Sequence, residues 1–195
     1  LRAEVLALVA ATAFWGSTVV TIKIASRGLS SWAVTAIELI TTLIILFAIV
    51  ILGRIRLRKP SWGVVFAGFL EPTLAYVLIN SGMAKTSGTH ASLVIGLQSL
   101  LVVIMAAIFH RKLPSRRVMV GLAMALAGLI AVTSSRGGGT PTWTGDLLVF
   151  VGVLCAAAYV LVAHGVSERY DAVEFTFYQF LFGSLALAPF ISLSI

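Results

Sequence analysis

WAVTAIELITTLIILFAIVILGRIRLRKP, Trp32 to Pro60, is a run of about 20 apolar residues followed at once by Arg54, Arg56, Arg58 and Lys59. A helix rises ~1.5 Å per residue, so a run of that length crosses the ~30 Å hydrocarbon layer of a bilayer. The basic cluster at its end then remains in water and resists translocation. Six further runs of similar length flank this one, at about Val5 to Ile24, Trp62 to Ser81, Ala91 to Phe109, Val118 to Thr133, Leu147 to Ala163 and Phe175 to Ile195. A soluble core has no reason to repeat that length seven times. The chain is therefore expected to be an all-α polytopic membrane protein, a helical bundle.

Composition points the same way. Hydrophobic residues make up 59% of the 195 and charged residues 11%, against roughly 25% charged in a soluble domain, and the mean hydropathy is +1.06. Seven spans leave no room within these residues for a soluble domain. The net charge of +7 does not imply nucleic acid, because the cations sit in loops beside the spans rather than on one polar face. The lipid bilayer is the partner they imply.

Alternate loops differ in positive charge. Arg2, Arg54, Arg56, Arg58, Lys59, Arg111, Lys112, Arg116, Arg117 and Arg169 fall on one side, and Lys23, Arg27, Lys85 and Arg136 on the other, a split of 10 to 4. The richer side is expected to be cytoplasmic, with the N-terminus, in a cell (inner) membrane. The lone Cys155, inside the sixth run, excludes an internal disulfide and reads as a small core residue. The first run is too long for a signal peptide and six others follow it. The chain begins at Leu1 and ends apolar at Ile195, which reads as a piece of a longer protein.

Internal repetition supports that reading. Leu148 to Ala163 lies over Leu6 to Thr21 at an offset of 142, and Gln179, Phe180 and Leu181 over Glu38, Leu39 and Ile40 at 141, with the same hydropathy course. Between the units runs a loop rich in Gly and Pro, Arg136 to Thr142, which no helix tolerates. The expected organisation is a first five-helix repeat over residues 1–135, a linker over 136–145, and the first two helices of a second repeat over 146–195. Five is odd, so the second repeat inserts inverted, as in many secondary transporters, whose substrates bind near the midplane between repeats.

Phe14, Trp15, Gly16 and Ser17 with Lys23 downstream, Phe109 to Pro114 after a small and apolar fourth helix, and Gly121 to Gly128 resemble the EamA-type repeat of the drug/metabolite transporter superfamily. The resemblance covers the whole chain. It implies a ten-helix exporter of small metabolites built from two inverted five-helix repeats, with cytoplasmic ends. The chain departs from the family pattern at His110 and Arg111, usually Gly-Glu, at Glu38, often Arg, and near Gln98, where Pro is frequent.

Polar groups at membrane depth point to the site, since lipid solvates them poorly. Glu71 lies about nine residues into the third run, roughly 14 Å deep at ~1.5 Å per residue. Pro72 after it removes a backbone donor and disfavours helical geometry at Glu71, which predicts a kink. Trp15 and Gly16, Gln98 and Tyr159 reach the same depth from other helices, and Thr12 shares a face with Trp15 and Gly16. Thr73, Tyr76 and Asn80 form a second polar stripe, turned away from Glu71 unless Pro72 rotates the outer half. The expected substrate-binding residues are Glu71, Trp15, Gly16, Thr12, Gln98, Tyr76 and Tyr159.

Lys23 near the end of the first helix and Glu38 in the second are expected to form an ion pair across a hairpin. Lys85 and His90 are expected in solvent at the outer mouth. Repeats of small residues at Ala123, Ala127 and Ala131, at Gly121 and Ala125, at Ser92 and Gly96, and at Gly152 and Ala156 predict close helix contacts.

A secondary exporter of small metabolites by alternating access follows, with amines or amino acids favoured by a midplane carboxylate beside Trp15. A seven-helix receptor and an intramembrane enzyme are the alternatives. The seventh helix has no Lys for a retinal Schiff base, and neither a G-x-S-x-G elbow nor H-E-x-x-H occurs. Neither a catalytic residue, a metal nor a cofactor is expected. Nothing resembles a P-loop, so ATP hydrolysis by the chain is not expected. A homodimer is one assembly the sequence allows.

Overall fold

A computed structural model describes residues 3–134 and 142–192. Nine α-helices follow in order among them: α1 Ala3–Ala25, α2 Ser31–Leu52, α3 Trp62–Gly68, α4 Ala75–Lys85, α5 Gly88–Gly96, α6 Gln98–His110, α7 Arg116–Ser134, α8 Trp143–Ser167 and α9 Ala172–Ser192. A π-helical turn, Phe69–Leu74, joins α3 to α4. Among the described residues five segments are long and apolar enough to cross a membrane: Val5–Ala25, Ser31–Leu52, Trp62–Lys85, Gly88–His110 and Trp143–Ser167. The other two expected spans are the helices α7 and α9. The chain is an all-α polytopic membrane protein.

Short polar caps start α2, α5 and α8. Ser30 Oγ accepts the Ala33 amide at 3.2 Å, Ser87 Oγ the His90 amide at 3.1 Å, and Thr142 Oγ1 the Gly145 amide at 3.2 Å, so each satisfies an amide left over at a helix N-terminus. Because Thr142 caps α8, that helix begins at Trp143, inside the linker expected over 136–145; residues 136–141 of that linker lie outside the described residues.

The third span breaks where Pro72 predicts. Glu71 has φ −144° and ψ 123°, an extended conformation inside the helix. Pro72 has no amide to give the Gly68 carbonyl, its partner in an unbroken helix. The Thr73 hydroxyl takes that place, donating to Gly68 O at 3.1 Å and to Gly183 O of α9 at 2.9 Å. The fourth span is also interrupted, at Leu97, whose φ −72° and ψ −11° close a tight turn.

Glycines bring α8 and α9 against the broken span. A Cβ on Gly82 would lie 2.7 Å from Gly145 O and Val149 N, and one on Gly152 3.0 Å from Ala75 O, so α4 and α8 meet backbone to backbone. A Cβ on Gly183 would lie 2.8 Å from Pro72, and one on Gly68 2.5 Å from Gln179 O. Small residues permit such approach in lipid, where no hydrophobic force drives helices together. The expected contact at Gly152 and Ala156 forms. Along α7 no such approach is seen among the described residues: Ala123 and Ala127 are exposed, and nothing stands within 4 Å of a Cβ built on Gly121 or Gly128. A small-residue stripe permits an approach but supplies no partner, and α7 rests chiefly on α5.

The cores lie toward opposite poles. One joins Ile22, Val34, Met83, Ala91, Val149 and Val153, the other Val50, Val64, Ala67, Phe175, Phe177 and Tyr178. At the second pole the loop after α2 is bound to the start of α9. Tyr170 Oη accepts the Ser61 amide at 2.9 Å and donates to Lys59 O at 3.1 Å, Arg58 Nη1 donates to Arg169 O at 2.7 Å, the Arg58 amide donates to Glu174, and Tyr178 Oη donates to Arg58 O. At the first pole Thr142 Oγ1 donates to Lys85 O at 2.7 Å. The Arg54 to Lys59 cluster and Lys85 therefore stand at opposite ends of the bundle.

Gly152→Leu should lower stability by on the order of 1–3 kcal/mol, the range for overpacking, seen as a lower thermal midpoint in detergent. Gly121→Leu should stay within about 0.5 kcal/mol, as exposed substitutions do. Equal losses from the two would contradict this placement of α7 and α8.

Candidate functional site

A cavity of about 200 Å³ opens beside the break, room for on the order of seven waters at ~30 Å³ each. Six of the seven expected binding residues line it: Thr12, Trp15 and Gly16 from α1, Glu71 from the π-helical turn, Tyr76 from α4 and Gln98 from the start of α6. Glu38 of α2 and Asn80 of α4 join them. Helices α1, α2, α4, α6 and the turn thus converge on one cavity.

The break orients these groups. Tyr76 and Asn80 share the cavity with Glu71, whereas Thr73 points to α9, so the extended residue at 71 splits the polar stripe that a continuous helix would keep on one face. No hydrogen bond or ion pair to the Glu71 carboxylate is found among the described residues. Its backbone carbonyl accepts Gln179 Nε2 from α9 at 3.0 Å. Trp15 is 58% exposed, so it borders the cavity rather than closing it. The Thr12 hydroxyl donates to Leu8 O and Val9 O at 3.0 and 2.9 Å, and so contributes mainly its methyl group and lone pairs to the lining.

Two expectations need correction. Tyr159 does not line the cavity. Its hydroxyl donates to Gln179 Oε1 at 3.0 Å, and Gln179, 5% exposed, links it to the Glu71 carbonyl, so Tyr159 supports the break through Gln179. Nor do Lys23 and Glu38 pair. Lys23 Nζ donates to Met83 O at 2.6 Å and Thr86 O at 2.5 Å, at the C-terminal end of α4, where unpaired carbonyls and the helix dipole draw a cation. Glu38 Oε2 instead accepts Asn80 Nδ2 at 2.8 Å, and the same amide donates to Thr35 Oγ1 at 2.9 Å.

Sequence reasoning missed the roles of Gln179 and of the Thr35, Asn80 and Glu38 network. The available signal was the one used for Glu71, a polar side chain amid apolar neighbours in a spanning helix. At the pole beyond Lys23, His90 Nδ1 lies 3.1 Å from Asp146 Oδ2, and Thr86 Oγ1 donates to Asp146 Oδ1 at 2.5 Å. His90, expected in solvent, thus joins the start of α5 to the start of α8.

A model of the EamA-like transporter family matches residues 2–134 and 143–195. The chain is 29% identical over 93% of its length to an uncharacterized transporter of Archaeoglobus fulgidus, and 26% identical over 94% to the uncharacterized transporter YetK of Bacillus subtilis. It spans 65% and 58% of those two proteins. A WAT1-related protein of Arabidopsis thaliana is 27% identical over 63% of the chain and 36% of its own length. No solved structure gives a significant match.

The separation of Lys23 from Glu38 can be measured. The stability losses of Lys23→Met and Glu38→Gln, read by denaturant unfolding in detergent, should add to within about 0.5 kcal/mol in the double variant, as independent sites do. A coupling above about 1 kcal/mol would restore the pair.

Proposed function

The chain belongs to the EamA-like transporter family, and from that membership we propose that it is part of a secondary transporter that exports small metabolites, amines or amino acids foremost, by alternating access. The observation that carries the reading is the Glu71 carboxylate, which faces a cavity at a break in a spanning helix and meets no cation there. A carboxylate in hydrocarbon costs several kcal/mol unless compensated. The lining holds neither Arg nor Lys, so the compensating charge comes from outside as a coupling proton or as the ammonium group of a substrate. Trp15 at the border adds a face for cation–π contact.

Alternating access requires that the cavity open to each side in turn. In this reading the glycine contacts of α8 and α9 with the broken span are the surfaces that shift, and the lightly packed α1 is the wall that gives way. The second repeat enters inverted relative to the first. The protein lies in the cell (inner) membrane with its N-terminus in the cytoplasm, because the Arg54 to Lys59 and Arg111 to Arg117 clusters hold their loops on that side. The relatives named transporters favour this class over a receptor or an enzyme.

Glu71→Gln in the full-length protein should insert and fold normally. Substrate flux into vesicles should nevertheless fall on the order of tenfold or more, the effect of removing one charge-assisted contact of ~1.5–3 kcal/mol, and the pH dependence of transport should flatten. Wild-type flux across the pH range would sink the role given to Glu71. For orientation, in a Cys155→Ala background, a cysteine replacing Lys85 should react with an impermeant thiol reagent on intact cells and one replacing Arg56 should not. The opposite labelling would reverse the topology.

A further inference from the structure

The cavity holds a second carboxylate that the reading above leaves without a task. Glu38 comes from α2, on a different helix from Glu71, and lines the same space. Its position is fixed. Asn80, 1% exposed, commits its amide nitrogen to Glu38 Oε2 at 2.8 Å and to Thr35 Oγ1 at 2.9 Å, with Thr35 fully buried. One carboxylate oxygen is thereby held by a neutral donor. A neutral amide orients a charge without cancelling it.

Lys23, the cation expected to pair with Glu38, is engaged by the carbonyls of Met83 and Thr86 at the pole. The lining therefore carries two carboxylates and no cation, although unpaired charge is costly at this depth. The two also differ in height. Tyr76 and Asn80 both line the cavity and stand four residues apart on α4, roughly 6 Å at ~1.5 Å per residue. Glu38 is bonded to Asn80, at the end of the cavity toward Lys23, and Glu71 lies at the break on the other side of Tyr76. Tyr76 stands between the two carboxylates, and Ile79 on α4 and Val19 on α1 add apolar surface to the same lining.

We infer that Glu38 is a second cation-binding group, and that the cavity takes a ligand with two cationic ends joined by a short apolar spacer, an α,ω-diamine. One ammonium group meets Glu71 and the other Glu38, while the methylene chain lies along Ile79 and Val19. This rests on the reading of the cavity as a transport site, and narrows its substrate from amines in general to dications.

Equilibrium binding to the full-length protein in detergent, with butylamine and 1,4-diaminobutane as probes, tests it. Wild type should bind the diamine roughly tenfold or more tighter than the monoamine, which a second ionic contact supplies. Glu38→Gln should bring the diamine down to the affinity of the monoamine and leave the monoamine within about threefold. Glu71→Gln should weaken both. A wild-type protein without preference for the diamine would overturn the inference while leaving an amine site, and needs no variant to fold. Equal weakening of both probes by Glu38→Gln would also overturn it. Failure of wild type to bind either amine would remove the amine reading of the cavity itself, and the role of Glu38 with it.

Discussion

In hydrocarbon no water is present to satisfy a backbone carbonyl, so a spanning helix breaks only where other groups replace the lost bonds. The break at Glu71 meets that condition with two side chains. The Thr73 hydroxyl takes the Gly68 carbonyl that Pro72 leaves free, and Gln179 takes the carbonyl of Glu71. Thr73 also reaches Gly183 O, so both repairs tie the broken span to α9. Local proline chemistry and long-range packing are here one interaction. Without α9 the Glu71 carbonyl would lose Gln179 and stand bare in lipid, and a straight helix would aim Glu71 elsewhere.

The helices after residue 142 therefore do more than extend the bundle. Through Gly82, Gly145 and Gly152, α8 presses on α4, the second half of the broken span, while α9 holds the break through Gly68 and Gly183. These contacts fill two sides of the span and leave the third, toward α1, for the cavity. Closely packed surfaces with two alternative arrangements are what rigid-body motion in a membrane needs. The glycine contacts of α8 and α9 give the cavity one firm wall.

Depth was legible in the sequence and azimuth was not. Counting residues from the ends of each apolar run brought Trp15, Glu71 and Gln98 to one level, because a helix has a constant rise, and the cavity joins those three with Thr12, Gly16 and Tyr76. Tyr159 has the right depth, but its hydroxyl is taken by Gln179 of α9, a partner that no periodicity in a nearly uniform apolar helix could reveal. The break at Pro72 could be foreseen, but the rotation it gives Tyr76 and Asn80 relative to Thr73 depends on the φ and ψ of one residue. Lys23 misled for another reason. Its long side chain reaches whatever lies near, and the carbonyls at the end of α4 become its neighbours only after folding. The α7 stripe failed because close approach requires a partner as well as small residues.

Charge is sorted by depth throughout the described residues. The cations stand at the poles, where water or helix-end carbonyls solvate them, while two carboxylates remain in the lining of the cavity. Such an arrangement is poor for holding the bundle together, since an apolar residue of similar volume usually stabilises as well or better than a buried charge. It suits the role proposed for the cavity, which stays electrically incomplete until a cation enters. A permanent Lys23–Glu38 pair would have neutralised half of that charge from within, and the carbonyls at the end of α4 keep Lys23 from doing so.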